Sequence, residues 1–380
     1  MPDPDEQIDY GEEPVEPVEP GTTALEQKYS KEMRQIVSQK IDLPISTLPE
    51  MIKEQIDLNP DFQRRDRWDV EKQSRFIESI IMNVPIPPVF LGEDQYGKYV
   101  VLDGRQRLTA IKDFLSNIFK LTGLKVWEDL NGQNYSELQK KKLAAAITRR
   151  FVPAVVILKE SSSQVKYDVF DRLNTGGVIA EPMEIRNAVF QGGFNKVIRE
   201  LAELPEFRRL WGIPSEAGEL EKNRLYRDMT DVELVLRFFA LSEYERMDMK
   251  FKDYLGDYMD KRNKEYAKDQ ALTAADRAHF RRAVDNCWIV FGDSAFRKSA
   301  DAKKSAPLAD AVMISLSGYP ADAVTPKVAK IRAAIETLLT GNETSHKEFQ
   351  KAFGTGTNGK GAIRKRIELA KEAVKVAIEQ

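Results

Sequence analysis

Five consecutive residues, Asp103-Gly104-Arg105-Gln106-Arg107, combine the groups that phosphate chemistry needs. Glycine lets an anion approach the backbone closely, and two arginines supply fixed positive charge. The surrounding pattern strengthens the reading. Tyr99-Val-Val-Leu102 is a short apolar run of strand character, and Asp103-Gly104 breaks it with turn chemistry. Leu108, Ile111, Phe114 and Leu115 then recur at helical spacing, so the sequence predicts a helix from Arg105 onward. A strand, a glycine turn and a helix N-terminus together make an anion site, because the first helical N–H groups lack intrahelical acceptors and the macrodipole is positive there. The same residues also describe an ordinary surface turn capped by Asp103.

Other segments carry the pattern further. Asn59-Pro-Asp-Phe-Gln63-Arg64 leads to Trp68, and Ile77-Glu78-Ser79-Ile80 and Pro85-Ile86-Pro87-Pro88 follow. Downstream come Phe170-Asp171-Arg172-Leu173-Asn174-Thr175-Gly176-Gly177 and Glu184-Ile185-Arg186-Asn187-Ala188. In this order, from about Ile45 to Phe190, the blocks resemble the domain-of-unknown-function 262 family, which includes GmrS-type restriction subunits; the central turn resembles its DGQQR signature, with Arg105 where Gln is usual. The resemblance implies a ParB/sulfiredoxin-like nucleotide-binding domain. It implies an NTP-binding, in some members NTP-hydrolysing, subunit of a modification-dependent DNA restriction or phage-defence system. On that basis Gly104, Arg105, Gln106 and Arg107 would hold a nucleoside triphosphate. Gln63, Arg64, Arg172, Asn174, Glu184, Arg186 and Asn187 would converge on the same cleft. Asp103 and Arg107 would be the catalytic pair, with Asp103 also helping to hold Mg²⁺. Phage or modified DNA and a separate nuclease subunit would be the partners. The competing reading is a nucleotide-sensing or DNA-binding module without turnover.

Several other chemistries lack their residues. Sulfiredoxin-type repair needs a cysteine directly after the glycine, where this chain has Arg105. A histidine–metal nuclease would need more than His279 and His346, which stand on separate predicted helices with no supporting motif. One cysteine and two remote histidines make no zinc site. The run Gly354-Thr-Gly-Thr-Asn-Gly359-Lys360-Gly361 resembles a P-loop but has no Ser or Thr after the lysine and no strand before it. A basic loop touching nucleic acid through Lys360, Arg364, Lys365 and Arg366 is the alternative.

Of 380 residues, 42% are hydrophobic and 31% charged, as in a globular protein with room for two domains. No apolar run approaches the roughly 18 residues of a membrane span. The single Cys287 rules out an internal disulfide and fits a reducing cytoplasm. Residues 1–27 hold nine acids and no Lys or Arg, which leaves 58 basic against 51 acidic residues in the remainder. Their Pro-Val-Glu repeats predict a disordered tail.

The remaining pattern predicts helices over 24–40, 69–81, 136–148 and 161–174, with Asp69 as an N-cap and Pro182 opening another. Strands are expected at 41–45, 89–91, 99–102 and 151–158. Beyond Phe194 only helices are expected, including 228–242, 273–291, 322–339 and 361–378. The expected fold is therefore α+β: a small mixed sheet with helices over 28–195, then a mainly helical domain over 196–380.

Overall fold

The computed structural model describes residues 36–58, 68–95, 97–161, 163–173, 181–354 and 356–380. The side chains of residues 94, 95, 163, 164 and 171–173 are outside that description. The expected 1–27 tail and the loop residues Gln63 and Arg64 also lie outside it. The chain divides into two compact units, one spanning Gln27–Val189 and the other gathering Phe190–Gln380. The architecture is α+β, with every named strand in the first unit and helices throughout the second.

The first unit is a five-stranded mixed sheet, in chain order β1 (Ser38–Pro44), β2 (Ile56–Asp57), β3 (Val89–Gln95), β4 (Lys98–Asp103) and β5 (Phe151–Ile157), with spatial order β1-β5-β3-β4-β2. A hairpin turn containing Gly97, at φ +71°, joins β3 and β4. β3 runs parallel to β5, β2 parallel to β4, and β1 antiparallel to β5. Around the sheet lie α1 (Leu48–Glu54), α2 (Val70–Ile81), α3 (Arg105–Leu115), the short α4 (Tyr135–Lys140) and α5 (Ala145–Thr148), α6 (Ser163–Leu173) and α7 (Pro182–Val189). Asp69 caps α2 by accepting the Lys72 N–H at 2.7 Å. Leu108, Ile111 and Phe114 of α3 are fully buried with Val89, Leu91 and Val101 of the sheet. Each such side chain contributes about 1.5–3 kcal/mol by leaving water.

Two expectations are corrected here. Residues 38–40 belong to β1 rather than to a helix, because pairing with β5 reaches back to Ser38. The helix expected over 136–148 is two short helices, interrupted where Lys142 takes a left-handed φ of +60°.

The second unit contains α8 (Gly193–Ala202), α9 (Pro205–Trp211), α10 (Ala217–Leu220), α11 (Arg224–Arg227), α12 (Thr230–Ser242), α13 (Phe251–Lys268) and α14 (Ala271–Phe291). It continues through α15 (Ala306–Ser317), α16 (Ala321–Val324), α17 (Val328–Thr340), α18 (Thr344–Lys351) and α19 (Lys360–Glu379). Every residue of α15 is buried, which makes it the central helix of this unit. The helix expected over 322–339 is split at Thr325–Lys327 by Pro326, as a proline inside a helical pattern dictates. Among the described residues no helix is long and apolar enough to cross a membrane.

Candidate functional site

β4 delivers Asp103 to one end of the sheet, and α3 starts two residues later. Gly104 makes that possible as the N-cap residue, with a left-handed φ of +94°. A Cβ there would lie 2.4 Å from Val89 Cγ1, so the start of β3 comes too close to admit any side chain. Tight packing of β3 on the turn therefore accounts for the glycine by itself. Gly104 has no side chain with which to cap the N-terminus of α3, where the macrodipole is positive.

The five residues of the turn divide their roles. Arg107 reaches back along the helix: Nη2 donates to Asp103 Oδ2 at 2.7 Å, and Nη1 donates to the Pro87 carbonyl and, at 3.2 Å, to that of Pro88. Its side chain is only 14% exposed, whereas that of Asp103 is 51% exposed. Arg107 thus ties β4, α3 and the Pro87–Pro88 approach to β3 together. Gln106 Oε1 accepts the Trp68 N–H at 3.2 Å, and Gln73 Nε2 donates to the Trp68 carbonyl at 2.8 Å. Trp68 is held by its backbone on both sides, with its ring edge-on to Phe76 and Lys72 Nζ 5.2 Å above it. Trp68 is thereby tied to the first turn of α3.

α7 packs on α6 and on β4, the strand that ends at Asp103. Glu184, Arg186 and Asn187 are all buried on it, at 3%, 2% and 0% exposure. Glu184 Oε2 accepts the Glu181 N–H at 2.8 Å, and the Arg186 guanidinium lies 5.6 Å from the Tyr167 ring centre. Three polar side chains interred on one short helix are costly unless satisfied, which is unusual for a purely packing element. The remaining expected site residues, Gln63, Arg64, Asn174 and the side chain of Arg172, lie outside the described residues.

One group that sequence reasoning passed over supports the site from behind. Glu78, buried on α2, accepts the backbone N–H groups of Val126 at 2.8 Å, Trp127 at 2.9 Å and Lys125 at 3.1 Å. Burial alone would raise its pKa, but these three bonds and the nearby Arg75 outweigh burial and hold it below the usual carboxylate range. Ser74 Oγ accepts the Thr122 N–H at 3.0 Å on the same face. Together they clamp the loop that follows α3 onto α2, and α2 packs on α3. The signal was present: Ser74, Ile77, Glu78 and Ile81 share the i, i+3, i+4, i+7 stripe of a buried face.

The proposed nucleic-acid loop of the second unit requires a correction. Arg366 is fully buried, its Nη2 2.8 Å from Asp310 Oδ2 and its Nη1 donating to the Thr357 carbonyl. It belongs to the core and cannot meet a nucleic acid. Lys365 pairs with Glu348 at 3.0 Å and Arg364 with Glu368 at 3.9 Å, whereas Lys360 is exposed. The run before Gly354 is the helix α18, not a strand, as the sequence led us to expect.

No curated protein and no solved structure gives a match to this chain. Residues 45–191, from the end of β1 to just past α7, match the family model described as GmrSD restriction endonuclease, N-terminal domain, so that over this span the chain is similar to the GmrSD-type restriction family.

Proposed function

We propose that this chain is a component of a phage-defence restriction system, and that its first unit binds a nucleoside triphosphate at the Asp103–Arg107 turn. The observation that carries the reading is the GmrSD N-terminal-domain match over residues 45–191, which contains the whole turn, α7 and their supports. The glycine at the N-terminus of α3 and the flanking Arg105 suit the phosphates. Asp103 fits Mg²⁺ less well: it is already neutralised by Arg107, and among the described residues no group of three or more acids, histidines or cysteines is placed to hold a metal. Magnesium would accordingly arrive with the nucleotide.

The same pairing favours a second reading, nucleotide sensing without turnover. Arg107 is committed to Asp103 and two carbonyls, and among the described residues no general base stands beside the turn. DNA cleavage, on either reading, belongs to a nuclease on another chain. Calorimetric titration with ATP–Mg²⁺ and GTP–Mg²⁺ should give saturable binding that Arg105→Ala weakens about ten- to a hundredfold, as loss of a charge-assisted contact predicts. Absence of binding for both nucleotides would refute the nucleotide reading. Steady phosphate release by the wild type separates an enzyme from a sensor.

A further inference from the structure

A second concentration of positive charge in the first unit lies at residues 140–150. Lys140, Lys141, Lys142, Arg149 and Arg150 place five cations in eleven residues with no acid among them. Lys140, Lys141, Lys142 and Arg149 are exposed, and among the described residues none of the five side chains has an ion-pair or hydrogen-bond partner. Arg150 Nε is even sheltered from water without an acceptor. The nearest acid in sequence, Glu137, is occupied in the capping box of α4 with Asn134.

The platform that carries these charges is rigid. Leu138 and Ile147 are fully buried in the core of the unit. The Arg150 carbonyl accepts the Ile45 N–H at 3.0 Å. Lys142 holds a left-handed backbone, a conformation that non-glycine residues adopt reluctantly and that turns the chain sharply between α4 and α5. A fixed array of uncompensated cations is the electrostatic footprint of a polyanion contact.

We propose that Lys140, Lys141, Lys142, Arg149 and Arg150 form a sequence-independent contact for the phosphate backbone of duplex DNA. The choice of DNA rests on the restriction reading above. It also rests on the apolar residues of the segment itself: Leu138 and Ile147 are buried in the core, and the bordering, half-exposed Phe151 ring is too little to anchor a membrane surface. Backbone contacts of this kind position a duplex without reading its bases.

The test is fluorescence anisotropy of a short labelled duplex of random sequence, read across about 50–200 mM salt. The full chain is compared with K140Q/K141Q/K142G, in which glycine suits the left-handed position, and separately with Arg149→Gln. Each neutralised phosphate contributes about −0.9 to the slope of log affinity against log salt, so the triple variant should flatten it by about 2–3 and bind about tenfold or more weakly. Arg149→Gln should flatten it by about 1 and guards against misfolding of the triple variant. Wild-type slopes in both variants would overturn the proposal. So would a wild type that fails to bind the duplex at the lowest salt, or one that binds phosphatidylserine–phosphatidylcholine vesicles in preference to it. Nucleotide titration of the same preparations keeps the two ideas apart, because a wild type that binds nucleotide but not the duplex refutes only the backbone contact.

Discussion

The guanidinium of Arg107 sits where its sequence suggested, in the first turn after Gly104, but it faces Asp103 and the Pro87 and Pro88 carbonyls. Its removal should therefore register in stability. The ion pair itself counts for little because Asp103 is half-exposed, so the lost carbonyl bonds dominate, at about 1–3 kcal/mol in Arg107→Ala. Urea denaturation checks this; an unchanged midpoint would mean that the side chain swings free in solution. Gly104→Ala should be worse, by about 2–5 kcal/mol, since it combines a left-handed backbone with overlap against Val89. Adding Val89→Ala removes the nearest clashing atom, so the double variant should be more stable than the sum of the two single losses. Simple additivity would show that Val89 Cγ1 by itself does not select the glycine, because the alanine keeps the Cβ, 2.8 Å away. The glycine was legible in the sequence. Its closest neighbour was not, because Val89 lies on the partner strand of the hairpin and only strand pairing brings it to the turn.

At the level of elements, periodicity located β3, β4, β5, α2 and α3, because each buries one face against the sheet and its apolar spacing records that burial. It failed where tertiary contact decides. Residues 38–40 become strand through pairing with β5, and β2 is too short, at two residues, to leave a pattern. The break between α4 and α5 has no Gly or Pro to announce it; burial of Leu138 and Ile147 on either side of Lys142 forces the turn. Glu78 shows how one charged residue can organise an element that has no regular structure. Its folded pKa is depressed, so its contribution is present above the ordinary carboxylate value of about 4.3 and disappears as pH falls through the folded value. Glu78→Gln should cost about 1–3 kcal/mol at about pH 7, because an amide cannot serve three N–H donors as a carboxylate does. By about pH 3 the gap between wild type and variant should narrow. A gap that stays constant with acid would show that the carboxylate charge is not what holds the loop.

Across the whole molecule, the division into a strand-bearing unit and a helical unit followed from where the β signal stops, and the sheet indeed ends with β5 while α8 onward is helical. The interior of the helical unit was hidden, because residue type does not reveal burial when the partner is distant in sequence. Arg366, within the run Arg364-Lys365-Arg366, reads as surface charge until Asp310 is found beside it. Asp310, on the central α15, accepts from Arg237 of α12 at 3.1 and 2.6 Å and from Arg366 of α19 at 2.8 Å. Arg237 also lies 4.7 Å from the centre of the Phe251 ring on α13. Two guanidiniums thus share the Asp310 carboxylate in the core. That sharing sets an order of effects. Asp310→Asn removes a carboxylate that both buried cations use and should destabilise by about 3–5 kcal/mol. Arg366→Met keeps the Arg237–Asp310 pair and fills a similar volume, so it should cost less, about 1–2 kcal/mol for the lost bond to the Thr357 carbonyl. Chemical denaturation of the two variants side by side tests the ranking. If Arg366→Met proves the more damaging, the cluster is held together by its bond to the 354–361 loop rather than by the charge of Asp310.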